Sequence, residues 1–213
     1  MNQKEEQLEA LKDIRNLMER SSKFLTLNGF AGVFVGIIAM AGGVITLLWL
    51  DNKNMVYEDF FNVSPSTNGF SNMYFLFAIS GAVLFFSILV SSIMTMSKAK
   101  KKNYKIWDAT TRKVLFHFFL PMVVGGILCL IFVHKGLFPM VAPFMLIFFG
   151  LALISCSKYT FNELKVLGII ETILGLIAAV YLQYGLYFWM VGFGLLNIIY
   201  GLFMFFKYEK NIV

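Results

Sequence analysis

Residues 164–207, LKVLGIIETILGLIAAVYLQYGLYFWMVGFGLLNIIYGLFMFFK, decide how the rest of the chain is read. Two apolar segments meet at Gln183-Tyr184-Gly185 and predict a helical hairpin. Between Lys165 and Lys207 there is one formal charge, Glu171, and the second segment carries one side-chain amide near its middle, Asn197. A carboxyl flanked by Ile169, Ile170, Ile173 and Leu174 sits where charge is expensive, so the surrounding medium is the first thing to settle.

Composition settles it. The chain has 213 residues, 59% hydrophobic and 14% charged, whereas soluble domains run near roughly 45–50% apolar and about 25% charged. A helix of about 20 residues crosses a hydrocarbon core of roughly 30 Å. Six apolar runs meet that length, at about 24–50, 71–96, 114–133, 137–156, 166–182 and 186–206. They do not alternate apolar and polar residues as barrel strands do. The expected fold class is all-α: a polytopic six-helix transmembrane bundle over 24–207, preceded by an N-terminal cytoplasmic amphipathic helix (1–23) and followed by a cytoplasmic tail (208–213). No cleavable signal peptide precedes the first run, which reads as a retained anchor.

The charge distribution predicts orientation. Lys and Arg number five in 1–23, seven in 98–113, two in 157–165 and two after 206, against Lys53 and Lys135 in the alternate loops. This positive-inside asymmetry places both termini in the cytoplasm. It also accounts for the net charge of +6 without nucleic acid, for which no base- or phosphate-reading module is present. Cys129 and Cys156 fall in or at the inner end of helices and read as packing residues.

In chain order, Leu11, Ile14, Met18 and Leu25 fit heptad spacing, and five acids balance five basic residues over 1–23. That pattern suits a helix lying on the membrane or bundle, or a docking helix for another copy or a soluble partner. Gly32-x-x-x-Gly36 and Ala39-x-x-x-Gly43 let a second backbone approach the first span, more often from the same chain than from a second subunit, so a homo-oligomer is admitted but not required. Trp49 marks the outer interface, and residues 51–70 form a mildly acidic outer loop. Around Tyr104 and Trp107 the basic inner loop reads as a short interfacial helix. His117 and His134 sit at opposite ends of the third span, about 25 Å apart, and do not share a metal within it. Pro139 and Pro143 predict a kink or break at the start of the fourth. Lys23-Phe-Leu, Lys113-Val-Leu and Lys165-Val-Leu each open an outward-going helix, a short echo compatible with three tandem hairpins.

Counting at 1.5 Å per residue places Glu171 about 9 Å above Lys165, Tyr200 about 10 Å above Lys207 and His117 about 6 Å above Lys113. Asn197 lies one turn deeper than Tyr200. Glu171, Thr172, Asn197, Tyr200 and His117 are therefore expected to form a polar intramembrane layer in the inner leaflet, where the acid in neutral form could donate to an acceptor. Three readings compete: a structural register-fixing residue, a proton-responsive or ligand-gripping site in a sensor or regulator, and a proton-coupled transport site. Enzyme chemistry is not expected, because no paired carboxylates, metal cluster or nucleophile–base pair is found. No cofactor is expected either.

Lys105-Ile-Trp-Asp-Ala-Thr-Thr-Arg112, the run from Ala142 to Thr160, Tyr184-Gly-Leu-Tyr-Phe-Trp-Met-Val-Gly-Phe-Gly194 and Met18-Glu-Arg-Ser-Ser-Lys-Phe-Leu25 resemble a bacterial family of small six-span integral membrane proteins. The resemblance covers most of the chain. That family is functionally uncharacterised, so it implies fold and inner-membrane location but no catalytic residues. Its genes often neighbour that of a winged-helix regulator, which implies a cytoplasmic regulator as partner, contacted through residues 1–23 and 97–113. The family often has His where this chain has Asn197, which argues against a strict catalytic role there. The expected function is a non-enzymatic sensor or regulatory partner, with a small proton-coupled transporter or a purely structural component as the alternatives.

Overall fold

Where no water reaches the backbone, each N–H and C=O must be satisfied within its own segment, and helices do this. The structure, a computed structural model, describes residues 29–55, 57, 67–101 and 109–209, and is all-α over them. The amphipathic helix expected over 1–23, the interfacial helix around Tyr104 and Trp107, most of the outer loop and the last four residues lie outside the described residues.

Six helical rods follow one another. They are α1 (Gly29–Asn52), α2 (Thr67–Lys101), α3 (Ala109–His134), α4 (Val141–Ser157), α5 (Asn162–Val180) and α6 (185–209). A 3-10 turn, Phe138–Met140, leads into α4, so the break expected from Pro139 falls just before the helix, and Pro143 sits in the first turn, where its missing N–H costs nothing. A second 3-10 turn, Leu182–Tyr184, makes the hairpin bend between α5 and α6. α2 and α3 extend beyond the apolar runs that announced them, because helical hydrogen bonding continues past the last apolar residue into flanking polar sequence.

α1 and α3 end alike. Asn54 (φ 51°) and Gly136 (φ 74°) take the left-handed conformation. Asn54 N–H bonds to Asp51 O and Met55 N–H to Leu50 O, each at 2.9 Å; Gly136 bonds to Val133 O at 3.1 Å and Leu137 to Phe132 O at 2.8 Å. This paired bonding satisfies carbonyls left open by the last turn. Both ends carry a lysine just before the left-handed residue, Lys53 and Lys135.

Neighbouring helices run antiparallel along small-residue seams. On α4 and α5, Gly150 faces Gly168: a Cβ added at Gly168 would stand 2.6 Å from the Gly150 carbonyl oxygen. α1 packs on α6 in the same way, with Gly36 against the Gly194 carbonyl and Gly32 against Gly201. The glycine pair at Gly32 and Gly36 thus meets a helix of its own chain. α2 lies on α1, with Trp49 stacked on Phe75 at 4.3 Å, and α3 lies on α4, with Phe132 and Phe144 rings 4.9 Å apart. The resulting order across the bundle is α2, α1, α6, then α4 with α5, then α3.

Among the described residues, five stretches are long and apolar enough to cross a membrane: Gly29–Asn52, Phe75–Ser97, Thr110–His134, Phe138–Ser157 and Leu182–Lys207. α5 carries Glu163, Lys165 and Glu171 in its 19 residues and stands apart from them by composition. Large apolar side chains cover the outside, among them Leu84, Phe85, Leu130, Ile173 and Val180, the last 74% exposed. A water-soluble chain rarely shows so much; a lipid bilayer suits it. The chain is a polytopic α-helical membrane protein.

Candidate functional site

α6 is not a uniform helix. Its first turn and a half, Gly185–Trp189, is α-helical; Met190–Leu196 then widens into a π-helix, Asn197–Met204 returns to α, and Phe205–Glu209 is π again. π-Helical turns are rare and are found disproportionately at functional sites. α6 lies between two partners here. Gly194 looks toward α1, where its Cβ would meet Met40, while Gly192 looks toward α4 and α5.

Glu171 occupies the floor of this widened segment. It is 0% exposed, among the most completely enclosed large side chains of the described residues, beside the equally enclosed Leu146 of α4. A Cβ built on Gly192 would stand 2.6 Å from Glu171 Oε2 and would also run into Leu146, with Leu174 at 3.4 Å. Among the described residues, neither Oε1 nor Oε2 of Glu171 has a hydrogen-bond partner. Burying a polar group without compensation costs on the order of 1–3 kcal/mol, and burying it ionised costs several more. The carboxyl in this packing is therefore suited to its neutral form.

Asn197 completes the arrangement from the other end of the π segment. Its buried amide Nδ2 donates to Gly192 O at 3.3 Å and Phe193 O at 3.2 Å. Widening a helix loosens its usual i→i−4 bonding, and the Asn197 amide supplies donors to two carbonyls of that segment. Gly192 is thus held between the Glu171 carboxyl and the Asn197 amide. Phe193 adds aromatic packing, 4.8 Å from Phe149 and 5.4 Å from Trp189.

The other members of the expected layer make the following contacts. Thr172 Oγ1 donates to Gly168 O at 2.8 Å and lies against Gly150, so it serves the α4–α5 seam. Tyr200 packs with the cluster formed by Leu153, Cys156, Leu164 and Leu167. His117 Nδ1 bonds to Lys113 O at 2.8 Å, and its ring lies 4.9 Å from Tyr159, with Lys113 Nζ 6.0 Å from the same tyrosine ring. At the same end of the bundle Glu163 of α5 is paired with Lys207 of α6. Glu171 and Asn197, expected in one layer, both meet Gly192 here, whereas that glycine and the π turn that presents it were missed in the sequence. A signal existed in Gly192-Phe-Gly194, two small residues two positions apart, which face opposite sides of a helix.

At the other end of the bundle, Tyr57 follows α1 and packs with Leu50 and Leu186. Burial pushes its hydroxyl up to about 12, above the usual phenol value. Against known proteins, no family model matches the chain, and neither does any curated protein or solved structure.

Proposed function

We propose that this chain is a non-enzymatic six-span protein of the bacterial inner membrane, acting as a sensor or regulatory partner of a cytoplasmic protein, with Glu171 as its responsive group. The observation that carries this reading is the enclosed Glu171 carboxyl, without a hydrogen-bond partner among the described residues, lying against the π-helical turn at Gly192. A neutral acid fits that packing, whereas an ionised one makes it unfavourable by several kcal/mol. Leu146 of α4 and Gly192 of α6, which meet beside it, carry no charge. Gain or loss of a proton therefore biases α6 between two arrangements, and α6 ends beside Glu163 at the face rich in Lys and Arg.

α5 serves as the sixth crossing in this reading. It runs antiparallel beside α4 from Gly175, against Pro143 and Ile147, to Gly168, against Ile154, and so matches the depth of a helix that is itself long enough to span. Six crossings put both termini on one side, and the charge distribution makes that side the cytoplasm. Residues 1–23 and 97–113 would there contact the partner.

The π turn also favours a second reading, a small proton-coupled transporter, since transporters place irregular helix next to intramembrane carboxyls. Amide hydrogen exchange over 190–196 in bilayer discs separates these from a structural role. With Glu171→Gln as the permanently neutral reference at each pH, the sensor reading expects wild-type exchange to exceed the variant's as pH rises. Identical exchange at all pH values would leave Glu171 a fixed structural group, and proton flux in vesicles abolished by Glu171→Gln would favour transport.

A further inference from the structure

A cleft of about 140 Å³ opens at the end of the bundle away from Glu163 and Lys207. Its floor comes from α1 (Thr46), α4 (Met145) and α6 (Trp189), and its walls from α2 (Leu76, Ser80) and α3 (Val133). α2 packs on α1 and α3 packs on α4, so the two walls do not close over it. Outside the cleft both walls continue into exposed apolar side chains, Leu84 and Phe85 on α2, Leu130 and Ile131 on α3.

The lining selects the occupant. No charged residue contributes to it, and the Thr46 hydroxyl is already committed to Gly42 O at 2.8 Å. Apolar cavities of about 150 Å³ stay dry and take a small hydrocarbon, so water is a poor tenant. The space is also too small for a drug-sized molecule, which needs roughly 300–1,000 Å³, and too narrow for a helix, about 10 Å across with its side chains. What fits is the last few carbons of a flexible alkyl chain, and the surface into which the cleft opens is the one that faces lipid tails.

We infer that this cleft holds the end of one acyl chain of a membrane phospholipid, entering sideways between α2 and α3. Trp189 lines the cleft and Met190 opens the π segment, so the chain end rests directly above the widened turn. The inference goes beyond the sensor reading and does not depend on it, because it concerns only what fills the space.

The test uses the full chain in phosphatidylcholine–phosphatidylglycerol vesicles doped with a phospholipid carrying a diazirine near the methyl end of one acyl chain, with adducts mapped by mass spectrometry after illumination. The expected result is labelling at Leu76 and Met145 several-fold above that at Leu130 and Ile173, which face outward elsewhere. Ser80→Phe, on the exposed side of α2, and Met145→Trp, from the floor, each fill the cleft and should lower labelling of Leu76 without changing Leu130. Labelling at Leu76 and Met145 no higher than at Leu130 and Ile173 would overturn the inference. So would wild-type labelling in both filled variants, or enrichment seen only with a free diazirine fatty acid.

Discussion

Gly192 of α6 lies so close to Glu171 of α5 that a Cβ on the glycine would stand 2.6 Å from the carboxyl Oε2. The distance is shorter than side chains tolerate, so the absence of a side chain at 192 lets α6 close over the acid. Gly192→Ala should therefore overpack this point and cost about 1–3 kcal/mol. The check is thermal unfolding in a mild detergent, with Gly126→Ala, where an added Cβ meets nothing within 4 Å, as the neutral comparison.

Glu171 contributes no hydrogen bond to the described fold. Replacing a partnerless buried polar group by an apolar one of similar size is commonly neutral or stabilising. Glu171→Leu is accordingly expected to unfold within about 1 kcal/mol of wild type, while losing any response to pH in amide exchange over 190–196. A loss above about 3 kcal/mol would mean that the carboxyl anchors the bundle.

Asn197 holds two carbonyls of the π segment. Asn197→Leu removes both donors and leaves Gly192 O and Phe193 O without them, at a cost of about 1–3 kcal/mol. Asn197→His keeps a ring N–H and should retain part of the difference. Exchange rates at 190–196 measure this locally, and the leucine variant should show the faster exchange.

The buried Tyr57 hydroxyl gives a pH prediction outside the spans. An acid raised in the folded state contributes stability below its unfolded value, near about 10, and that stability is lost as pH climbs through about 12. Ultraviolet titration of wild type against Tyr57→Phe should show one late-ionising phenol in the wild type alone. Alkaline unfolding should begin at lower pH in the wild type than in the variant.

Much of the fold was legible because hydrocarbon imposes a simple length rule. The hairpin bend at 182–184, the interruption at Pro139 and a close helix partner for Gly32 and Gly36 could all be read from residue type and spacing. Rotation about each helix axis could not be read. α1, α3 and α4 are apolar on nearly every side, so periodicity does not say which face meets a neighbour. For that reason His117 could be placed one turn from Lys113 while the ring beside it, Tyr159, went unnamed. The π segments were illegible for a related cause, since a helix one residue wider per turn keeps the same apolar composition. α5 reads as a span from its isoleucines and leucines, yet its three charges set it apart from the five candidate spans found among the described residues. Its place beside α4 is what argues for a sixth crossing.

The central claim is that α6, pressed on Glu171, reports to a protein on the basic face of the bundle. The most direct measurement is a mild-detergent pull-down of the tagged full chain from its native host, run in parallel for wild type, Glu171→Gln and a chain lacking residues 1–23. The account predicts a cytoplasmic protein that accompanies the wild type, changes in amount with Glu171→Gln and is lost on truncation. Recovery of the membrane protein alone from all three would contradict it.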